Sequence, residues 1–503
     1  MNALNDFIIE TKKHKHRFNM LIPVFVVLAE IFFIYGNYHG RTGLEKGWML
    51  LFYNYPIINS LFLPVAIACF ASRVTDIEHK GDMLKSLYTF TTPERIFYTK
   101  YIYGVIATAM LVATMCGSFY INAGILKFPT EFPIRYLIIF AITNFITCLT
   151  LFTIHMILAF FYRNQAVNIT VGILGSFMGL FTAFLPETIF QKLLPWGSFT
   201  TSMFVRIDWD RETRVTDWIL TDPSFFPTVV NIVWIVLLTC LTQFLLKRSS
   251  VEERENKKNR PINQNITLHK RPIEVLKLKG SPAWVAFIIV PVLSAIIGTI
   301  NYSGNLSILT DGWYSLWSQH TLFLCYFFMS IMIGLFAGCI WRADHAGTNM
   351  NILLTHNKAS SIILGKYLAT CLITSLSIIW MVVLFIISGQ IIHVEGSIPS
   401  EMIGWVAVGM IASWAICAFQ IFTSLVVRNL IIPIIIGFIG GLSGLVCISK
   451  DIPYLTPYSV FDAAMNRGGA GIIPSIISSV IFIALFLTLS ILYLSRSDAK
   501  TQE

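Results

Sequence analysis

The sequence predicts an all-α polytopic membrane protein, with twelve transmembrane helices arranged as two parallel six-helix repeats. Three observations predict it. The 503 residues are 55% hydrophobic and only 13% charged, too little charge to cover a soluble protein of this size. Apolar runs near twenty residues, long enough to cross a bilayer as helices, recur along the whole chain. The chain also repeats itself. With Lys100 laid on Lys366, residues 78–101 align without a gap on residues 344–367. Seven of the 24 positions are identical: His79, Gly81, Leu87, Thr89, Ile96, Lys100 and Tyr101 meet His345, Gly347, Leu353, Thr355, Ile362, Lys366 and Tyr367.

The expected spans lie at 20–37, 51–72, 97–121, 135–162, 167–188 and 224–246, then at 283–301, 318–341, 362–391, 402–427, 429–448 and 472–495. This divides the chain into a first half at 1–246, a cytoplasmic basic linker at 247–280 and a second half at 281–503. Lys12, Lys13, Lys15 and Arg17 precede the first span, which places the N-terminus inside. Twenty-six of the 36 lysines and arginines then fall on the inner side, ten of them in the linker. Both termini are expected to be cytoplasmic, and the net charge of +9 is explained by topology rather than by nucleic-acid binding. An even span count gives the halves the same orientation, which implies a pseudo-two-fold axis along the membrane normal and a path between them. The first apolar run follows a basic segment without a small-x-small cleavage pattern and is expected to act as a signal anchor.

All nine cysteines fall in or at the edge of apolar runs and none forms a CxxC pair, which argues against a metal site and a disulfide framework. The linker segment EERENKKNR is too polar to bury a core and reads as a solvated tether with helical parts. No GxxxxGK[ST] loop occurs, so the chain is expected to be a transport subunit without its own ATPase site.

Between spans two and three, Ile77, Leu84, Leu87 and Tyr88 share one helical face, and Ala343, Ala346, Met350, Leu353 and Leu354 do the same between spans eight and nine. Each half is thus expected to present one amphipathic helix of about three turns. Such a helix either lies on lipid headgroups or docks a cytoplasmic partner, and its recurrence at equivalent places favours docking.

These features resemble the ABC-2 type permeases, and among them the group found in lantibiotic-immunity and bacteriocin transport. The resemblance rests on six spans per half and on EHKGDMLKSLYTFTTPERIFYTKY, whose layout is similar to the family's coupling segment. It rests also on Pro195-Trp196-x-x-Phe199-x-x-x-Met203, which recurs as Pro457-Tyr458-x-x-Phe461-x-x-x-Met465. The family carries a proline-aromatic turn of this kind at short re-entrant helices between spans five and six. The chain departs from the group in fusing two halves, and in carrying Asn357, Lys358 and Ala359 where half one has Thr91, Thr92 and Pro93.

The resemblance implies a type V exporter-like fold in the cell membrane and two partner ATPase subunits that bind ATP and Mg, with no cofactor in this chain. It implies that Glu78, His79, Gly81, Leu84 and Leu87 couple to one ATPase, and Asp344, His345, Gly347, Met350 and Leu353 to the other. Pro195, Trp196 and Phe199 with Pro457, Tyr458 and Phe461 would form an external gate. Residues 2–17 and 273–278 would be elbow helices on the inner surface. The implied cargo is a hydrophobic or cationic peptide of lantibiotic type, or a drug, exported or extracted from the membrane for antimicrobial peptide resistance.

Polar residues within spans point to a substrate path. Glu30 and His155 are the outstanding ones, with Asn144 and Gln420 behind them, and Ile296 stands opposite Glu30 in half two. The external loop at 206–214, RIDWDRETR, reads either as a solvated hairpin or as a contact for an arriving peptide. Two other classes compete. A twelve-helix secondary transporter driven by an ion gradient shares the six-plus-six layout, but it normally has a tight charged turn where this chain has residues 73–99. An intramembrane enzyme would need an HExxH or a paired-acid constellation, and the spans show neither.

Overall fold

A computed structural model describes residues 3–15, 21–38, 47–79, 83–128, 133–162, 165–181, 189–209, 216–255, 283–342, 344–345, 349–428, 430–466 and 471–496. The chain divides into two compact units, Met1–Gln264 and Asn265–Glu503. The division falls inside the segment expected to link them. Of that segment, residues 247–255 prolong the last helix of unit one, and residues 256–280 lie outside the described residues, as does the expected second elbow at 273–278.

In unit one the elements are α1 (Ala3–His14), α2 (Leu21–Tyr38), α3 (Gly47–His79), α4 (Met83–Leu87), α5 (Pro93–Leu126), α6 (Ile134–Phe161), α7 (Gln165–Phe181), α8 (Ile189–Leu193), α9 (Ser198–Thr201), β1 (Val205–Trp209), β2 (Thr216–Leu220) and α10 (Phe226–Glu255). In unit two they are α11 (Ala283–Gly304), α12 (Trp313–Phe323), α13 (Met329–Arg342), α14 (Asn349–His356), α15 (Ala359–Ile391), α16 (Met402–Val426), α17 (Ile431–Ser449), α18 (Pro457–Asn466) and α19 (Ile472–Arg496). Helices dominate because a bilayer offers no partner for backbone N–H and C=O groups, which an α-helix satisfies internally.

By length and composition, nine described helices can cross a membrane, or ten if one bent pair counts as a span. That pair is α12 and α13, bent by 43° where Leu324–Phe328 takes a π-helical turn. A π turn inserts an extra residue into the helical ladder and redirects the axis. The first and fifth expected spans contain the shorter apolar helices Val26–Tyr35 and Val167–Phe181. The described residues therefore support a polytopic all-α protein without reaching twelve full crossings. The sole departure from all-α among them flanks the external loop: β1 and β2 pair antiparallel, Trp218 packs on Tyr53 at 5.1 Å, and residues 210–215 lie outside the described residues.

The helices α3, α5 and α15, of 33, 34 and 33 residues, are about 50 Å long at 1.5 Å per residue and overrun a hydrocarbon core of about 30 Å. Their ends carry the polar chemistry. In α5 the start is set locally: Thr92 accepts a hydrogen bond from the Arg95 amide and Pro93 supplies a preset φ at the first helical position. Lys358 gives α15 no such side-chain cap. The core of unit one is a stack of aromatic rings in which Tyr55 meets Phe119 at 4.1 Å and Phe119 meets Phe140 at 5.0 Å. Unit two has a smaller cluster of Trp341, Ile362, Ile363, Ile421 and Leu425, against which Met350, Leu353 and Leu354 pack.

Candidate functional site

Lys100 lies two turns into α5 and is 1% exposed, far too deep for an unpaired ammonium. It pairs with Glu78 at 2.7 Å and Glu10 at 2.5 Å, and donates to the Val74 carbonyl at 3.0 Å. Lys13 bridges Glu78 at 3.0 Å and Glu10 at 3.4 Å, and His14 reaches Glu10 at 3.1 Å. Burial alone would raise the Glu10 carboxyl. The His14 hydrogen bond and the charges of Lys100 and Lys13 outweigh it and hold the group at about 2. Lys13 shows the same balance with opposite sign: burial lowers its pKa, while Glu10 and Glu78 raise it further. This network, with Arg95 gripping Asp6 at 2.6 Å and His14 stacked on Tyr103 at 4.8 Å, fastens α1 to the ends of α3 and α5.

Unit two repeats the core of this arrangement. Lys366, also fully buried, pairs with Asp344 and lies 4.4 Å from the Trp341 ring centroid. His79 donates to the Ala159 carbonyl at 2.9 Å, and His345 to the Ser424 carbonyl at 2.8 Å, which is the same bond 265 or 266 residues further on.

The expected coupling helices are therefore corrected in extent. Glu78 and His79 form the last turn of α3, and Asp344 and His345 follow the end of α13, so none of the four belongs to a separate docking helix. Glu78 is 1% and Asp344 6% exposed, because each neutralises a buried lysine. The separate helices are α4, of five residues, and α14, of eight. Leu84 and Leu87 are half-buried, as are Met350 and Leu353, so the apolar faces read from periodicity turn inward. Gly81 and Gly347 lie outside the described residues, as do Ala343 and Ala346. Sequence reasoning missed the residues that do face outward: Met83, Phe90 and Ile352, at 47%, 87% and 58% exposure. Beside Phe90 a cavity of about 250 Å³ is lined by Asp6, Ile9, Lys13, Leu87 and Arg95.

The proline-aromatic turns also prove equivalent. Pro195 opens a 3-10 turn leading into α9, and Pro457 opens α18. A Cβ on Gly175 of α7 would come within 2.0 Å of Trp196, and one on Gly179 within 2.4 Å of the Trp196 carbonyl. In unit two, Gly440 would meet the Tyr458 ring at 2.3 Å, and Gly444 the Tyr458 and Ser459 backbone at 3.2 Å. Gly172 and Gly437 likewise meet the carbonyls of Pro64 and Ser330, at 3.0 and 2.4 Å. Both units thus seat an aromatic turn on a G-x-x-G-x-x-x-G stripe, a repeat present in the sequence at an offset of 265. Phe199 and Phe461 are buried beside these turns.

Glu30 and His155 belong to separate networks. Ser118 donates to Glu30 at 2.9 Å, Tyr55 stands 2.8 Å from Ser118, and Asn122 donates to Tyr55 at 2.9 Å. One oxygen of the fully buried Glu30 has no partner. His155 bonds Asn168 at 2.7 Å, and Asn168 donates to Ala68 and Ser72 of α3. At the offset of 265 Gln420 stands opposite His155 and donates to the Tyr458 hydroxyl at 2.8 Å.

Beside this internal duplication, a family model described as ABC-2 family transporter protein matches residues 7–179 and again 272–444, more than half of the chain, at an offset of 265. The chain belongs to the ABC-2 transporter family. It is a multi-pass membrane transport protein, and ABC-2 permeases work in the membrane with ATPase partners. No curated protein and no solved structure matches it significantly. Among the described residues no group of histidine, cysteine, aspartate and glutamate forms a metal site.

Proposed function

We propose that this ABC-2 protein is an exporter permease subunit of the cell membrane, powered by two separate ATPase subunits, one docked on each half, and that both termini are cytoplasmic. ATP and Mg are held by those subunits. The observation that carries the reading is the paired anchoring of α4 and α14: each short helix lies between the partners of a buried acid–lysine pair, Glu78–Lys100 or Asp344–Lys366, and each segment leaves apolar side chains exposed. A partner that moves α4 or α14 would act directly on the ends of the long helices. In this reading Glu78, His79, Asp344 and His345 transmit force from the docking segments, and Met83, Phe90 and Ile352 touch the ATPases.

The cargo is proposed to be a hydrophobic or cationic peptide of lantibiotic type, or a drug, with the chain acting in antimicrobial peptide resistance. What supports a cationic cargo is Glu30, an intramembrane carboxyl that, among the described residues, has no cation within its hydrogen-bonded network. The turns of Pro195, Trp196 and Phe199 and of Pro457, Tyr458 and Phe461 are proposed to close the external side. The test is co-purification: Met83→Asp with Phe90→Asp and Ile352→Asp should abolish ATPase recovery while membrane expression is kept. ATPase recovery at wild-type yield would refute the docking assignment.

A further inference from the structure

Unit two carries a basic cavity at a helix junction. Between the end of α13 and the α16–α17 junction lies a cavity of about 150 Å³, lined by Trp341, Arg342, His345, Ser424, Arg428 and Leu430 among others. Arg342 and Arg428 are exposed at its mouth. Ser424, 1% exposed, lines it with a hydroxyl that makes no hydrogen bond, and the buried Nδ1 of His345 makes none either. The His345 Nε2–H is spent on the Ser424 carbonyl. Buried polar atoms without partners cost free energy unless a ligand satisfies them.

Unit one shows what fills the same place otherwise. At offsets of 265 or 266, Arg342 becomes Asp76, Leu430 becomes Gln165 and Ser424 becomes Ala159. Gln165 donates to Asp76 at 2.5 Å. The first half thus places an acid and an amide here, whereas the second has an arginine at the acid's position, beside a cavity and a serine hydroxyl that makes no hydrogen bond. The site lies at the ends of two spans, the level at which basic pockets between helices meet lipid headgroups.

We propose that this cavity binds a phosphate-bearing anion, the chemistry shared by an anionic phospholipid headgroup and inorganic phosphate. The arginines supply charge and forked donors to phosphate oxygens, and the Ser424 hydroxyl supplies a neutral donor from within. The inference does not depend on the ATPase assignment.

The test is the thermal midpoint of the detergent-purified full chain, titrated separately with phosphatidylglycerol, phosphatidylcholine and inorganic phosphate. Phosphatidylglycerol should raise the midpoint where phosphatidylcholine does not. Arg342→Asp with Leu430→Gln, which installs the unit-one pair, should remove that difference, while Arg496→Ala at another helix end keeps it. Ser424→Ala, the residue unit one carries, should raise the half-saturating concentration about fivefold, as expected for one lost hydrogen bond. A shift with inorganic phosphate alone, lost in the same variants, would support the site and assign it to free phosphate. No shift with either anion, or a shift unchanged in the Arg342→Asp, Leu430→Gln chain, would overturn it.

Discussion

At the scale of single residues, the molecule is organised around two buried lysines. Removing the cation from Lys100 leaves Glu10 and Glu78, two carboxylates at 3% and 1% exposure, to share the partly exposed Lys13 in a site built for two positive charges. Breaking a buried pair costs about 3–5 kcal/mol, so Lys100→Met should lower the thermal midpoint sharply. Lys366→Met, which removes the buried cation beside Asp344, should lower it as well. The Glu10 carboxyl titrates at about 2 against an ordinary 4.5. Its folded pKa is depressed, so its stabilisation is complete above about pH 4.5 and is lost as pH falls towards 2. Wild-type midpoints measured from pH 6 to pH 2.5 should fall along an acid limb that Glu10→Gln flattens. The identity of Lys100 with Lys366, and the acidic residue opening each copy, were legible in the sequence. That these groups face inward was not, because nothing local in EHKG distinguishes an acid displayed to a partner from one neutralising a lysine 22 residues later. Glu10, 68 residues before Glu78, gives no local signal at all.

At the scale of elements, the positions of most spans follow from hydropathy, and the failures follow from geometry. A face of Ile77, Leu84, Leu87 and Tyr88 has helical spacing whether it belongs to one helix or to the end of a span followed by a short turn, and periodicity cannot separate the two. The overrun of α3 beyond the bilayer thickness decides for the second. The bend between α12 and α13 was hidden because a π turn needs no proline or glycine. The glycine stripes of α7 and α17 were available in the sequence and mark where Trp196 and Tyr458 seat. Gly175→Ala and Gly440→Ala would drive a Cβ to 2.0 and 2.3 Å of those rings. Each should cost about 1–3 kcal/mol through overpacking, read as a lower thermal midpoint, whereas Gly117→Ala, with open space around it, should not.

At the scale of the whole molecule, duplication is the governing fact, and the family match confirms it with two segments of equal length. The copies have diverged where they end: α1 fastens to unit one through Glu10 and Lys13, α5 is capped by Thr92 and α15 is not, and Arg342 lines a cavity in unit two where unit one has Asp76 bonded to Gln165. Divergence of this kind predicts unequal docking sites. The Met83→Asp, Phe90→Asp pair and Ile352→Asp alone should each reduce ATPase recovery by about half if one subunit sits on each repeat, but to different residual affinities. The measurement that bears most directly on the account is an affinity pull-down of the tagged chain from its native membrane, with quantification of what co-purifies. An ATPase with Walker and signature motifs at about two copies per chain is the predicted result. A chain that comes out alone and moves its cargo on a proton or sodium gradient would contradict it and would make the protein a secondary transporter.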